Sequence, residues 1–206
     1  MSERPKYMRV SLLHGVLRTV AQAAALVAFG LMLLCRPVAG GAATDAAPAG
    51  DLEVKAAFVL NFIRLVNWSD VAGEANYREL PVCACFKSDF FTAVRSAAAG
   101  KPVGNRSIVF RIEPAPDVRR CRVLLVDQAH YQSARQVLGA IRDSPILTVG
   151  NGAGLLDGGG MFELIVQDSK VQFDVCLEAI RRSGLDVSAR LLHLSRNLRT
   201  GGNGAD

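Results

Sequence analysis

Four cysteines offer the most evident chemistry in this sequence beyond its first 43 residues: Cys83, Cys85, Cys121 and Cys176. Cys83 and Cys85 are two residues apart, so on a strand both side chains point to the same face. Both could then face Cys121 from a neighbouring strand. Zinc needs four ligands at recognisable spacing, usually Cys-x-x-Cys or a histidine pair, and these cysteines do not provide it. We predict at least one disulfide and no metal site, with the choice among the possible pairings open.

Residues for nucleophilic catalysis are few. A serine, cysteine or threonine nucleophile needs a base, most often histidine, and beyond residue 43 the histidines are His130 and His193. No serine lies in a Gly-x-Ser-x-Gly elbow. We therefore predict no catalytic residues and no cofactor, although a triad assembled from residues distant in sequence stays open as an alternative.

A glycine-rich segment, GNGAGLLDGGG, runs from Gly150 to Gly160. Such a loop cradles a phosphate when it opens a helix and carries a following lysine and serine or threonine. Here the next run has the pattern of a strand and the lysine is missing. We predict a mobile turn between two strands.

The first 43 residues have the three parts of a bacterial export signal. A basic start is followed by 17 residues without charge, from Thr19 to Cys35, and by small residues at 38–43. We predict a signal peptide over residues 1–43, cleaved near Ala42 or Ala43. An uncleaved membrane anchor is the alternative, since 17 apolar residues lie at the lower limit for crossing a bilayer core of about 30 Å.

Removal of the signal changes the charge of the protein. The whole chain has a formal net charge of +5, with 24 basic and 19 acidic residues. Residues 1–43 hold five of the basic residues and one of the acidic ones, which leaves a mature chain at +1 with interspersed charges. A nucleic-acid-binding protein keeps a basic stripe in its folded domain. We therefore predict no nucleic-acid partner. We also predict that the protein does not insert into a membrane once the signal is cleaved.

The rest of the chain reads as one domain over residues 51–200, between a linker (44–50) and a disordered tail (201–206). Asp51 is placed to cap a helix over residues 52–68 whose apolar face includes Val54, Phe58 and Phe62, with Lys55 off that face. Runs with β character and runs with helical periodicity follow one another. Strands are predicted at 80–86, 107–112, 121–126, 145–149, 161–166 and 171–175, and helices at 89–98, 131–141, 177–183 and 188–199.

This alternation is typical of βαβ units. The last two predicted strands are separated by four polar residues, which favours an antiparallel hairpin. We predict an α/β fold: a single domain with a mixed, mostly parallel central sheet flanked by helices, and a late antiparallel hairpin.

The order of short motifs resembles the YfiR-like family of bacterial periplasmic proteins, over about residues 52–198. No single motif is decisive, but their order and spacing together are fairly specific. The motifs are Glu53–Phe58, Asn61-Phe62, Trp68, Cys83, CRVLLV at 121–126, LTV at 147–149, Gly159–Met161, Val171–Phe173, Gly184-Leu185 and Ser188–Leu194.

The resemblance implies a periplasmic, non-enzymatic repressor. Such a protein forms a homodimer and binds the periplasmic region of an inner-membrane diguanylate cyclase, which lowers cyclic di-GMP signalling. The alternative is a periplasmic ligand-sensing accessory protein for another membrane receptor such as a histidine kinase. An exposed apolar patch on the first or the last helix is where we would look for the partner surface.

The resemblance also implies a disulfide between Cys83 and Cys121. Cys176 stands where the family commonly has asparagine, and Cys85 is an additional thiol. A second bridge between Cys85 and Cys176 therefore stays open.

Overall fold

The computed structural model of the protein describes residues 49–67 and 78–200. Several predictions lie outside these residues and stay predictions: the signal peptide (1–43), the first five residues of the linker (44–48), Trp68 and the tail (201–206).

The described part of the chain contains five α-helices, three short 3-10 helices and nine strands. The α-helices are α1 (Ala49–Leu65), α2 (Asp89–Ala98), α3 (Tyr131–Ile141), α4 (Leu177–Ser183) and α5 (Ala189–His193). The strands are β1 (Val66–Asn67), β2 (Glu79–Ala84), β3 (Ser107–Ile112), β4 (Val123–Asp127), β5 (Leu147–Asn151), β6 (Phe162–Gln167), β7 (Lys170–Cys176), β8 (Asp186–Val187) and β9 (Asn197–Arg199).

Seven of these strands form the central sheet, in the order β3-β2-β4-β5-β6-β7-β9. The first five are mutually parallel, β6 and β7 form an antiparallel hairpin, and β9 lies parallel to β7. The predicted mixed, mostly parallel sheet with a late hairpin is therefore confirmed. Separately, β1 and β8 form a short antiparallel pair.

Both faces of the sheet are covered, because successive strand residues point to opposite sides. On β4, Val123 and Leu125 belong to the core beneath α1 and α2. Leu124 and Val126 belong to the second core, beneath α3. A parallel sheet buried on both faces explains why its strands read as nearly continuous apolar runs.

The prediction for the first helix was partly wrong. The helix begins at Ala49, two residues before the predicted cap at Asp51. Its buried face is also rotated: Lys55 is 5% exposed, whereas Val54 is 46% exposed. The reason is tertiary, since the Lys55 ammonium donates a hydrogen bond of 2.7 Å to the Asn151 side chain at the end of β5.

The last predicted helix, over residues 188–199, was wrong in length. Helix α5 ends at His193, and the following residues form β9 beside β7. The Arg196 amide donates to the Phe173 carbonyl at 2.8 Å. Pairing with β9 gives hydrogen-bond partners to backbone groups of β7 that would otherwise lie at an open edge.

Candidate functional site

An apolar groove of about 540 Å³ lies between α1, β7 and the region of α5. It is lined by Phe58, Asn61, Phe62, Leu65, Val171, Gln172, Phe173, Arg190, Leu191, Leu194 and Arg196. The groove therefore lies between the first and the last helix, the two elements on which an exposed apolar patch was expected.

Helical and strand periodicity together place these side chains on one surface. Phe58, Phe62 and Leu65 recur at the spacing of one helical face, and Val171 and Phe173 alternate on one face of β7. The three phenylalanine rings form a cluster: the Phe58 and Phe62 ring centroids each lie within 6 Å of that of Phe173, at 5.7 and 4.9 Å. The aromatic cluster gives the groove a firm apolar wall.

Arg196, an exposed residue that lines the groove, forms an ion pair with buried Asp174. Its Nε donates to Asp174 Oδ1 at 2.8 Å, its Nη2 donates to Asp174 Oδ2, and its Nη1 donates to Gln167 Oε1 at 2.6 Å. Hydrogen bonding to Asp174 raises the pKa of Arg196. Because its charge is already compensated by Asp174, Arg196 holds β7 and the start of β9 together.

Arg190 is different, since it is exposed at the rim and no described residue forms an ion pair with it. Leu194, also at the rim, is 65% exposed, the largest exposed fraction among the large hydrophobic residues that the structure describes. Exposed apolar side chains around a concave surface mark interaction sites. The groove is thus suited to an apolar group that carries a negative charge near Arg190.

The two histidines considered for catalysis lie on opposite sides of the molecule. His130 precedes α3 on one face of the sheet and stacks on Phe86, with ring centroids 4.4 Å apart. His193 lies at the end of α5, which packs on the other face. The structure therefore does not bring these side chains together.

The cysteines occupy both faces of the sheet. Cys83 on β2 and Cys121 just before β4 form a disulfide with a Cα–Cα distance of 5.9 Å, and both are fully buried. Cys85 and Cys176 are free. A bridge between these two is excluded in this structure because Cys85 packs against the core beneath α3, whereas Cys176 belongs to the core beneath α1. Burial raises the pKa of the Cys85 thiol.

The glycine loop connects β5 to β6 as predicted, but it is packed against the domain. Its Leu155 is fully buried. The carboxylate of buried Glu163 accepts hydrogen bonds from the amides of Gly154 (2.9 Å) and Leu156 (3.3 Å). An internal carboxylate therefore takes the place that an anion would occupy in a phosphate-binding loop.

Residues missed by the sequence reasoning are Arg190, Leu194 and Asp174. The spacing of Phe58 and Phe62 on the first helix was a usable signal for one wall of the groove. The last helix was also expected to carry an apolar patch, but no local pattern showed that β7 would supply a further wall, since these contacts form only through the fold.

The fold and the groove define a disulfide-braced α/β domain with a mixed sheet. Among the described residues, no helix has the length and apolarity needed to span a membrane. The profile of the YfiR/HmsC-like family matches residues 52–196, and the chain belongs to this family.

A search of solved structures gives a weaker similarity. The chain resembles a conserved domain protein from Vibrio cholerae O1 biovar El Tor with a TM-score of 0.48 and 8% sequence identity. The aligned region covers 72% of this chain and 60% of that protein, so this chain spans little more than half of its length. No curated protein matches the chain significantly.

Proposed function

We propose that this protein is a periplasmic regulator, active as a homodimer, that binds and represses a membrane-bound diguanylate cyclase and so lowers cyclic di-GMP signalling. Membership of the YfiR/HmsC-like family supports a regulatory role. The export-type sequence at residues 1–43 supports the location. The observation that carries the binding role is the apolar groove with Leu194 exposed at its rim.

Regulation of this kind needs only binding. A repressor that binds the inactive state of the cyclase more tightly than the active state shifts the population toward the inactive state. The groove fits an amphipathic segment of the sensing region, with apolar side chains toward the phenylalanine cluster and an acidic residue beside Arg190.

The proposal is tested by deleting the gene and measuring cyclic di-GMP, in cells with the cyclase and in cells without it. Deletion should raise cyclic di-GMP only where the cyclase is present. Complementation with the wild-type gene should restore the low level, and complementation with Leu194→Glu should not, because a carboxylate at the rim opposes an acidic, apolar partner.

Phe86→Glu serves as the matched control, since Phe86 is another exposed large apolar residue and does not line the groove. It should repress like wild type at equal protein level by immunoblot. The proposal fails if deletion changes cyclic di-GMP in neither strain. The groove assignment fails if Leu194→Glu represses fully.

A second candidate is a ligand-sensing accessory protein for another membrane receptor such as a histidine kinase. The volume of the groove favours it, because about 540 Å³ lies within the range of small-molecule sites, about 300–1,000 Å³. In that case deletion would leave cyclic di-GMP unchanged and alter the output of the receptor. A neighbouring gene for a membrane protein with a GGDEF domain favours the cyclase, and a neighbouring kinase gene favours the receptor.

A further inference from the structure

The edge of the central sheet formed by β3 has backbone groups that face outward. The Ser107 amide donates to the Arg78 carbonyl at 2.8 Å, and the Glu113 amide donates to the Ala84 carbonyl at 3.0 Å. Alternate residues of a strand present their backbone groups to opposite sides, so those of Ile108, Phe110 and Ile112 point away from β2. Within the described residues, no backbone hydrogen bond to this outer side is found.

This edge lacks the usual protection against pairing. Proteins protect exposed edges with proline, lysine, bulges or very short strands. Strand β3 has six residues, SIVFRI, without proline or lysine. Its charged residue, Arg111, forms an ion pair with Glu79 on β2 at 3.4 Å. By contrast, β9 at the opposite edge has three residues.

The side chains along this edge are mainly apolar. Ile108 and Phe110 are half-buried and pack against the core, where the Phe110 ring meets that of Phe91 at 5.7 Å. Ile112 continues the row beyond the core and is 48% exposed. A partner that adds a strand here would cover Ile112 as well as pair the backbone.

We propose that β3 pairs antiparallel with β3 of a second copy of this chain, about a twofold axis at Phe110. The two central sheets then become one continuous sheet. In this register Ile108 lies opposite Ile112 of the second copy, and the two Phe110 residues lie opposite each other. All three outward-facing residues are then hydrogen-bonded, and each exposed Ile112 is covered by an isoleucine.

The occupant is a second copy because the edge is complementary to itself. An isologous contact needs a surface that matches its own twofold image, and the row Ile108, Phe110, Ile112 maps onto itself in reverse. The charges are compatible, since each copy brings Arg111 already paired with Glu79. A register centred on Val109 is less favourable because it places Ile112 opposite Arg106.

This dimer leaves the apolar groove accessible. The groove is lined by β7, which lies five strands from β3 in the sheet. With neighbouring strands about 4.8 Å apart, the two β7 strands of the dimer would lie about 50 Å apart across the sheet. The inference rests on the homodimer of the proposed function and names its surface. A β3 dimer without repression would contradict the regulatory role alone, whereas repression by a monomer, or by a dimer that persists in Ile112→Pro, would contradict the β3 interface.

Sedimentation velocity on the protein purified from the periplasm, over a range of concentrations, tests the dimer. Wild type should sediment with twice the chain mass, and Ile112→Pro should sediment as a monomer. The outward amide of Ile112 is absent in proline, while the bonds between β3 and β2 are kept. Ile112→Thr, which keeps the amide, and Leu194→Glu in the groove should both remain dimeric.

Hydrogen exchange on the wild-type protein gives a test that needs no variant. The amides of Ile108, Phe110 and Ile112 should be protected in the dimer and lose protection on dilution below its dissociation constant. Three results would overturn the proposal: a wild-type monomer at every concentration, a dimer that persists in folded Ile112→Pro, or fast exchange of these three amides in the dimer.

Discussion

Lys55 connects the first helix to the carboxyl ends of two strands through a short polar chain. Its ammonium donates to the Asn151 side chain at 2.7 Å, and the Asn151 amide donates to Asp127 at 3.1 Å. Burial lowers the pKa of Lys55, and the negative charges of Asp51 and Asp127 act in the opposite direction. The residue is therefore held at a polar contact where desolvation disfavours its charge.

Replacing Lys55 by methionine tests this balance. The pKa of Lys55 in the folded protein lies below the ordinary lysine value of 10.5. Between the folded and the ordinary pKa, the unfolded chain therefore binds more protons than the folded one. The contribution of Lys55 to stability therefore rises with pH in that interval. We expect Lys55→Met to lose about 1–3 kcal/mol, because Asn151 is left without its donor, and the loss should grow as pH rises toward 10.5.

Urea unfolding at pH 7.5 and 9.5 would measure the free energy of unfolding of both proteins. Cys85→Ser and Cys176→Ala should be present in both, so that no thiolate exchanges with the disulfide in the unfolded chain. Parallel pH profiles for wild type and Lys55→Met would contradict the assigned pKa direction.

At the scale of elements, the disulfide links the neighbouring parallel strands β2 and β4. A long segment of chain lies between these two strands in the sequence. Cys83 lies in β2, and Cys121 lies two residues before β4. The segment between them, at a sequence separation of 38, includes α2 and β3, which forms the edge of the sheet. The bridge therefore limits the freedom of this whole segment in the unfolded chain.

Replacing both Cys83 and Cys121 by serine should lower the free energy of unfolding by about 4 kcal/mol, from the entropy of closing a loop of this length. Urea unfolding under non-reducing conditions measures the difference, and Cys85→Ser is the matched control with little expected effect. If the bridge also supports repression, cells with the double variant should show raised cyclic di-GMP. Unchanged stability would contradict the bracing role.

At the scale of the whole molecule, the positive charge is concentrated in the predicted export signal. The segment over residues 1–43 carries most of the excess positive charge, and the domain that follows is nearly neutral. Export would also place Cys83 and Cys121 in an oxidising compartment, where disulfides form and persist.

The exported protein should begin near residue 43 or 44, as measured by mass spectrometry of the periplasmic fraction. Replacing Leu33 and Leu34 by arginine interrupts the apolar stretch and should keep the chain uncleaved in the cytoplasm, with its cysteines reduced. An intact N-terminus on membrane-bound wild-type protein would instead support the uncleaved anchor.

Much of this architecture could be predicted from local patterns. The alternation of apolar runs with helical segments was sufficient for the mixed α/β sheet, because burial on both faces imposes it on the strand residues themselves. Four polar residues between two alternating runs were sufficient for the hairpin of β6 and β7. The order of short motifs along residues 52–198 was sufficient to indicate the family.

The tertiary structure decided the features that depend on distant contacts. The helical pattern predicted that Lys55 faces solvent, but the residue is buried because Asn151, at the end of β5, accepts its hydrogen bond. Residues 194–199 had helical character in isolation, but Arg196 pairs with buried Asp174 and leads the chain into β9. The groove exists only because α1 meets β7 and α5, which lie far along the chain from it, on one face. Local sequence sets the periodicity of each element, whereas a binding surface shared among elements depends on how those elements pack.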